Sequence, residues 1–565
     1  MPLKIIYISV TSSYSHSSPV YGQLRVFAEE NCADDMEWEF IETSINDSFD
    51  DTILRILAFS PNLILSTGYL FNIEFIIKLL SRVSPLHPEA IIALGGPEFL
   101  GNNELFLRQN RFISAVFRGD ESPLPVFLSN LTDSSKWHSI NGICYIDKDV
   151  YIDKETAKIQ RHLDKLPSPY IKRYFSSDKP FIHFETSRGC PSLCLFCSSS
   201  NSNPAYHSIE RIDSDLSIIK KAGIKEIRIL DRTFNVPEER GISIIELFIS
   251  TYHDIKFHLE IDPSKLTQNF IDALSKAPNS MFHIEAGVQT LSQPSLEIIN
   301  RTTNIEKMTS HLSQICSLKN IKVHTDLIAG LPLQTFSDVI EDIRTLARLN
   351  PDEIQLEVLK LLPGSLLRNK ELFSAKYSPL PPYEVLETPN ISFSELFKLK
   401  IISRIIDIYH NTKNFKTLFN FALTDKNFLQ GFAELNSIAL IRKEKPSLET
   451  RLLMIYEYAS KKQNKPLYEL TLLTSFMLGI IPRKFLELNT IKQDEIEKFN
   501  RKIIWTKGNE LSFNHAFLCS FEYSLFGLMD NQDKSCLHNP AKYIFYYPTL
   551  SFSKTLSHIE EVTES

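Results

Sequence analysis

No uninterrupted apolar run in the 565 residues is long enough to span a bilayer, so no transmembrane helix is expected. Nor does charge of one sign dominate: 61 Lys and Arg stand against 68 Asp and Glu, a formal net charge of -7. That balance gives no basis for non-specific nucleic-acid binding, although a local basic groove would escape it. Nor is a secretion signal expected. Met1-Pro2-Leu3-Lys4 leads into Ile5-Ile6-Tyr7-Ile8 and reaches Ser-rich sequence too early for one. The stretch reads as a first buried strand, and the chain is expected to be cytoplasmic. Cysteine is sparse, with 8 residues: Cys32, Cys144, Cys190, Cys194, Cys197, Cys316, Cys519 and Cys536. Five are scattered and three are clustered, which argues against a disulfide framework and for one metal site. The scattered five read as buried small hydrophobes.

What is present is a long chain of ordinary globular composition, 43% hydrophobic and 23% charged, with room for two or three domains. Residues 1–135 alternate short apolar runs (Lys4–Val10, Glu37–Glu42, Leu63–Ser66, Ala90–Leu94, Ile113–Phe117) with helix-length amphipathic segments. This predicts an α/β fold, a doubly wound parallel sheet of flavodoxin-like kind, with its ligand edge at the carboxyl ends of the strands. Residues 136–180 hold an expected hairpin, Gly142–Ile152, and a Pro-punctuated linker. Residues 181–368 resume the alternation with six strands: Phe181–Thr186, Lys225–Leu230, Lys256–Ile261, Met281–Ala286, Lys322–Leu327 and Glu353–Leu359. Six βα units fit a partial (β/α)6 TIM-type barrel, with its chemistry at the carboxyl ends of the strands. Residues 369–565 predict a mainly helical domain without repeat or catalytic signature. It includes a long helix, Phe393–Asn411, an aromatic run, Tyr543–Tyr547, and a polar, frayed tail, Ser557–Ser565.

The three clustered cysteines lie in Glu185-Thr186-Ser187-Arg188-Gly189-Cys190-Pro191-Ser192-Leu193-Cys194-Leu195-Phe196-Cys197, just after the first barrel strand. Thiolates suit iron, and a cubane held by three of them leaves one iron open to another ligand. Structural zinc, the main alternative, needs four closed ligands; no Cys or His follows Cys197 at zinc-knuckle spacing, His207 being the nearest. The Cys-x3-Cys-x2-Cys pattern, with Phe196 before the last Cys, is similar to the signature of the radical S-adenosylmethionine (SAM) superfamily. The preceding Arg188-Gly189 resembles the branch that carries an N-terminal cobalamin-binding domain. The resemblance implies a 4Fe–4S cluster on Cys190, Cys194 and Cys197, with SAM on the open iron as the source of a 5′-deoxyadenosyl radical.

Further segments match at strand ends. Leu230–Asn235 resembles the segment that helps seat methionine, which implicates Asp231, Phe234 and Asn235. Ile284–Thr290 resembles the fourth-strand segment near the nucleoside, which implicates Glu285 and Gln289, with Glu260 at the neighbouring strand end. Asp326–Pro332 and Leu356–Gly364 resemble the fifth and sixth strand endings. Asp231, Glu260 and Glu285 would equally serve to cap helices or satisfy backbone at the barrel rim. His183, His258, His283 and His324 sit within strands and read as barrel-interior packing, and Asp120-Glu121 reads as a helix-start cap.

The first domain resembles cobalamin-binding domains, with Ser66-Thr67-Gly68 and Gly95-Gly96 at the positions that would contact the nucleotide tail. Small residues there would let backbone approach a bulky ligand; strand-to-helix turns would need them too. The Asp-x-His-x-x-Gly motif that supplies a cobalt-ligating His is absent, and His16 in Thr11–Ser18 lies outside any matching context. The segment from Pro382-Tyr383-Glu384-Val385-Leu386 onward resembles an uncharacterised domain found with this pair.

Together these imply a cobalamin-dependent radical enzyme, a methyltransferase acting on an unactivated carbon, fed by a low-potential electron donor such as flavodoxin or ferredoxin. A radical cyclase or rearrangement enzyme, and a non-enzymatic redox or cobalamin sensor, are the competing readings. A methylthiotransferase fits less well, because there is neither a second three-cysteine set nor an evident small RNA-binding β-domain. No catalytic residue beyond the cluster ligands is assigned from sequence.

Overall fold

The computed structural model describes residues 2–486 apart from 34, 158–159, 201, 302 and 442–443. Beyond these it describes 498, 501–505, 507, 515–523, 538–547, 556 and 558–561. Cys536 lies outside the described residues. Packing divides the chain into two compact units, Met1–Asp342 with Glu357–Leu396, and Ile343–Leu356 with Phe397–Ser565.

The first unit opens with β1 (Leu3–Thr11), β2 (Met36–Ser44), β3 (Leu63–Thr67), β4 (Ile91–Gly95) and β5 (Ala115–Phe117). They pair in parallel in the order β2-β1-β3-β4-β5, the flavodoxin order. Alternate residues of each strand feed two separate cores. Ile6, Ile8, Ile64, Ile92 and Val116 pack with the helices Phe49–Phe59 and Ile73–Leu86 on one face. Ile5, Tyr7, Leu63, Leu65 and Ala93 pack with Ala28 and Phe127 on the other. Burial on both faces explains why these strands read as near-continuous apolar runs.

The hairpin expected in the connecting segment is β6 (Ile143–Asp147) with β7 (Val150–Asp153). It extends the first sheet antiparallel to β5, making seven strands. Its own alternation drives this: Ile143 and Tyr145 enter one core and Cys144 the other. Among the scattered cysteines Cys144 and Cys519 are buried, whereas Cys32 and Cys316 are only half-buried.

The second sheet begins with β8 (Ile182–Phe184). A small antiparallel pair follows, β9 (Ser187–Cys190) with β10 (Ser202–Tyr206). Then come β11 (Glu226–Ile229), β12 (Lys256–Ile261), β13 (Phe282–Gln289), β14 (Lys322–Ala329) and β15 (Glu353–Val358). The sheet order β8-β11-β12-β13-β14-β15 follows the chain, as an open six-stranded barrel requires. Ile227, Phe257, Leu259, Phe282 and Ile284 are buried against the outer helices, where Phe248 stacks on Phe257 at 3.8 Å between ring centroids. The opposite, inward face is polar. His183, Arg228, His258, His283 and Lys322 align across five strands in one register line. After β15, β16 (Lys376–Tyr377) and β17 (Val385–Glu387) form a short antiparallel pair.

In the second unit, helices Lys416–Ala422, Phe428–Ile441, Leu448–Lys461 and Lys465–Leu478 surround an aromatic core of Tyr409, Phe415, Phe419, Phe428, Phe432 and Tyr458. Ser447 and Asn464 cap the amino ends of the last two, and Gly479 ends the last with φ at 65°. Asn411 brackets Ile354, accepting from its amide at 2.9 Å and donating to its carbonyl at 3.0 Å. The aromatic run Tyr543–Tyr547 lies in β19 (His538–Tyr547), between β18 (His515–Tyr523) and β20 (His558–Glu561). The tail expected to fray therefore contributes a strand at 558–561; 557 and 562–565 lie outside the described residues. No helix among the described residues is long and apolar enough to cross a membrane.

Candidate active site

The cysteine segment leaves the carboxyl end of β8 and makes an antiparallel excursion in which Cys190 faces Ser202 and Ser187 faces Tyr206. Gly189 holds φ at 89°, a conformation that favours glycine, which explains its place before Cys190. The Cys197 amide donates to the Cys194 carbonyl at 3.1 Å, so the last two cysteines share one tight turn. Neighbouring loops pin that turn: Leu195 donates to the Ile299 carbonyl and accepts from the Leu367 amide, both at 3.1 Å.

All three cysteines line one cavity of about 410 Å³, within the range of small-molecule and cofactor sites. Cys190 Sγ lies 3.3 Å from Thr233 Oγ1, and the Ser199 amide donates to Cys197 Sγ at 3.4 Å. Among the described residues no three Cys, His, Asp or Glu side chains converge on one ion. Burial pushes the Cys194 thiol up to about 11, so metal loading there must release a proton. Three soft thiolates lining one shared cavity fit a 4Fe–4S cluster with one iron left open.

The carboxylates behind the loop differ in role. Asp231 is 1% exposed and does not line the cavity. It accepts from the Thr186 amide at 2.8 Å, the Ser187 amide at 2.9 Å and the Thr186 hydroxyl, bracing the turn into β9. Phe234 and Asn235 likewise stand behind the wall. Phe234 is in the apolar core, and Asn235 exchanges hydrogen bonds with the Asp262 backbone at 2.9 and 3.0 Å. Glu260, Glu285 and Gln289 do line the cavity. His258 Nε2 lies 2.8 Å from Glu285 Oε2 and holds that carboxyl below the usual range, while burial pushes Glu260 up to about 7. Sequence reasoning did not single out Asp262, Arg301 or Asp326, which share the cavity. Arg301 reaches Asp262 at 3.1 Å and also the Gly287 carbonyl. Their signal was position: Asp262 directly follows β12 and Asp326 lies in the carboxyl-terminal half of β14, beside the floor of the cavity.

The first domain supplies the facing wall, but through residues one step beyond those picked from sequence. Ser66 donates to the Ile8 carbonyl at 2.7 Å, and Thr67 shares a 2.7 Å hydrogen bond with Tyr7. A Cβ on Gly68 would meet Phe99 at 2.9 Å, and one on Gly96, where φ is 108°, would meet Thr67 at 2.6 Å. A Cβ on Gly95 would make an ordinary contact with Phe117 at 3.6 Å. None of these five lines the cavity; Tyr69, Leu70, Phe71, Pro97 and Glu98 do. They lie at the carboxyl ends of β3 and β4, where this sheet order places ligands. His16 is also outside the cavity lining, with its ring 5.5 Å edge-on to Phe181 and Nδ1 2.7 Å from Ser13 Oγ. The Asp120-Glu121 pair divides its roles: Asp120 accepts from the Ser122 amide at 3.0 Å just ahead of the helix Leu124–Leu128, without capping it. Glu121 pairs with Arg188 at 2.7 Å, and Arg188 also meets Glu185 at 2.8 Å, a half-buried triad joining the β5 loop to the cysteine loop.

A flavodoxin-like sheet facing an open six-stranded barrel, with a three-cysteine loop after the first barrel strand, defines a class of cofactor-dependent barrel protein. Residues 184–346 match the Radical SAM superfamily model, and residues 371–476 match DUF4080, a protein family of unknown function. Residues 184–346 therefore form a radical SAM domain, and the chain as a whole is similar to the branch with an N-terminal domain of the cobalamin-binding type.

It is 25% identical over 337 residues to an uncharacterized methyltransferase of Pyrococcus horikoshii, covering 57% of this chain and 71% of that protein. To the cobalamin-dependent radical SAM methyltransferase TokK of Streptomyces tokunonensis it is 20% identical, covering 65% of this chain and only 56% of that one. The solved radical SAM methyltransferase TsrM from Kitasatospora setae, with cobalamin and a [4Fe-4S] cluster bound, shares the fold. The TM-score is 0.55 at 14% identity, over 65% of this chain and 77% of that one.

Proposed function

We propose that this protein is a cobalamin-dependent radical SAM enzyme that methylates an unactivated carbon. The observation that carries the reading is that Cys190, Cys194 and Cys197 line the same cavity as the β3 and β4 loop tips of the first domain. When bound, the cluster with SAM supplies a 5′-deoxyadenosyl radical for hydrogen abstraction, and cobalamin supplies the methyl group. The chain's own residues hold and shield these groups. The cysteine loop is fixed by Asp231 and Arg188, the floor presents Glu260 and Glu285, and Tyr69–Phe71 with Glu98 close the far side.

The names of the relatives support methyl transfer over ring formation, rearrangement or a sensor role. The enzyme would work in the cytoplasm and draw its electron from a low-potential donor such as flavodoxin or ferredoxin.

Anaerobic reconstitution with iron and sulfide, followed by reductant and SAM, should yield 5′-deoxyadenosine, and Cys194→Ala should abolish it. A wild-type protein that carries a full cluster yet forms none would overturn the enzymatic reading in favour of the sensor.

A further inference from the structure

The segment matched to a family of unknown function reaches the cavity wall. Tyr383, within it, donates its hydroxyl to Glu98 Oε1, and both residues are only 8% exposed. Glu98 is the one carboxylate that the first domain brings to the cavity lining, and among the described residues its Oε2 has no hydrogen-bond partner. Tyr383 is held firmly for this task. Its amide donates to the Leu380 carbonyl at 2.9 Å, and its carbonyl accepts from Leu361 at 2.9 Å. The Arg368 guanidinium covers its ring at 4.6 Å. Its φ of 59° is an unfavourable conformation for an aromatic residue, and such strain persists only where the surroundings over-determine it. Glu98 is tied from the other side, its amide donating to the Gly68 carbonyl at 3.2 Å. Beside it Tyr69 and Phe71 stack at 5.6 Å with 13° between their planes.

This wall therefore offers flat apolar surface and one oriented acceptor. A carboxylate accepts hydrogen bonds and cannot donate them, so its complement is an N–H or O–H donor at the edge of a flat ligand. A corrinoid, a planar macrocycle fringed with carboxamide arms, has that chemistry.

We propose that Glu98, positioned by Tyr383, grips a peripheral carboxamide of the corrinoid. The opening part of the uncharacterised segment thus belongs to the cofactor site. The inference rests on the cobalamin part of the proposed function.

The test is an absorbance titration of the full-length protein with hydroxocobalamin and, separately, with its b-, d- and e-monocarboxylates, in which one propionamide is replaced by a carboxylate. Wild type should disfavour at least one monocarboxylate by about tenfold or more, because two carboxylates would meet where one amide sat. Glu98→Gln should reduce that preference to within about threefold. Tyr383→Phe should weaken hydroxocobalamin binding by about three- to tenfold while narrowing the preference for the same arm. Equal losses for all four corrinoids in Tyr383→Phe would make the tyrosine merely structural and overturn its role. An unchanged preference in Glu98→Gln would overturn the contact while leaving the proposed function standing. If wild type binds no corrinoid, the cobalamin reading falls, and the contact with it.

Discussion

Asp231 shows how a strand-end carboxylate can be read in two ways. Sequence resemblance sends it toward the cofactor; the structure turns it back onto Thr186 and Ser187, one strand away. The two roles separate by substitution. Asparagine can keep the oxygen that accepts both backbone amides and loses only the acceptor of the Thr186 hydroxyl, so Asp231→Asn should cost about 1–2 kcal/mol and retain its iron. Asp231→Ala strips acceptors from two amides at a buried turn and should cost about 2–4 kcal/mol, with loss of cluster iron. Thermal melts and iron content measure both; an iron-poor but thermally normal Asp231→Asn would contradict the bracing role. The cysteines were legible because their chemistry depends on spacing along the chain. The direction of Asp231 was not, because it depends on which neighbouring turn leaves amides unpaired.

At the level of elements, the barrel departs from the usual interior of branched apolar side chains. Strand boundaries were readable from alternation, yet the alternation does not say which face meets the helices. The buried Ile and Phe residues pack outward, leaving the histidines inside. Burial pushes His183 and His283 down to about 4, helped by the charges of Arg228, Lys322 and the facing His16, His258 and His324. Both rings are thus neutral in the fold, while the unfolded chain takes up their protons near pH 6.5. Their contribution is fully present above pH 6.5 and drains away as pH falls toward 4, about 2 kcal/mol for each after allowance for partial exposure. Melting temperature should therefore drop between pH 7 and pH 5, and His283→Gln should flatten the slope. An equally steep slope in that variant would remove His283 from the account. The Glu121–Arg188 pair was hidden for a related reason: its partners are 67 residues apart and meet only through tertiary packing.

On the scale of the whole molecule, the order of folded units is not the order of the sequence. Residues 343–356 belong with the C-terminal unit although 357–396 return to the first. Asn411 holds both backbone groups of Ile354, and His410 Nε2 lies 3.2 Å from the Pro351 carbonyl. A chain cut after Leu396 leaves those groups and buried Ile354 and Leu356 without their partners. It should aggregate on size-exclusion chromatography; a monodisperse, thermally cooperative 1–396 would refute that dependence. The helical character of this unit was legible from composition and period, but its threading was not, because a short segment assigned by pattern to one unit is packed into the other. The first sheet, by contrast, runs in nearly the order its apolar runs suggest, and its far edge is β2. Along that strand stand Glu37, Glu39 and Glu42, with Glu39 paired to Arg55 and Glu42 to Lys179. A second copy docking by strand addition there would bring its own row of glutamates against these. Stripping water from these charged side chains and their partners would oppose amyloid-like strand addition at this edge.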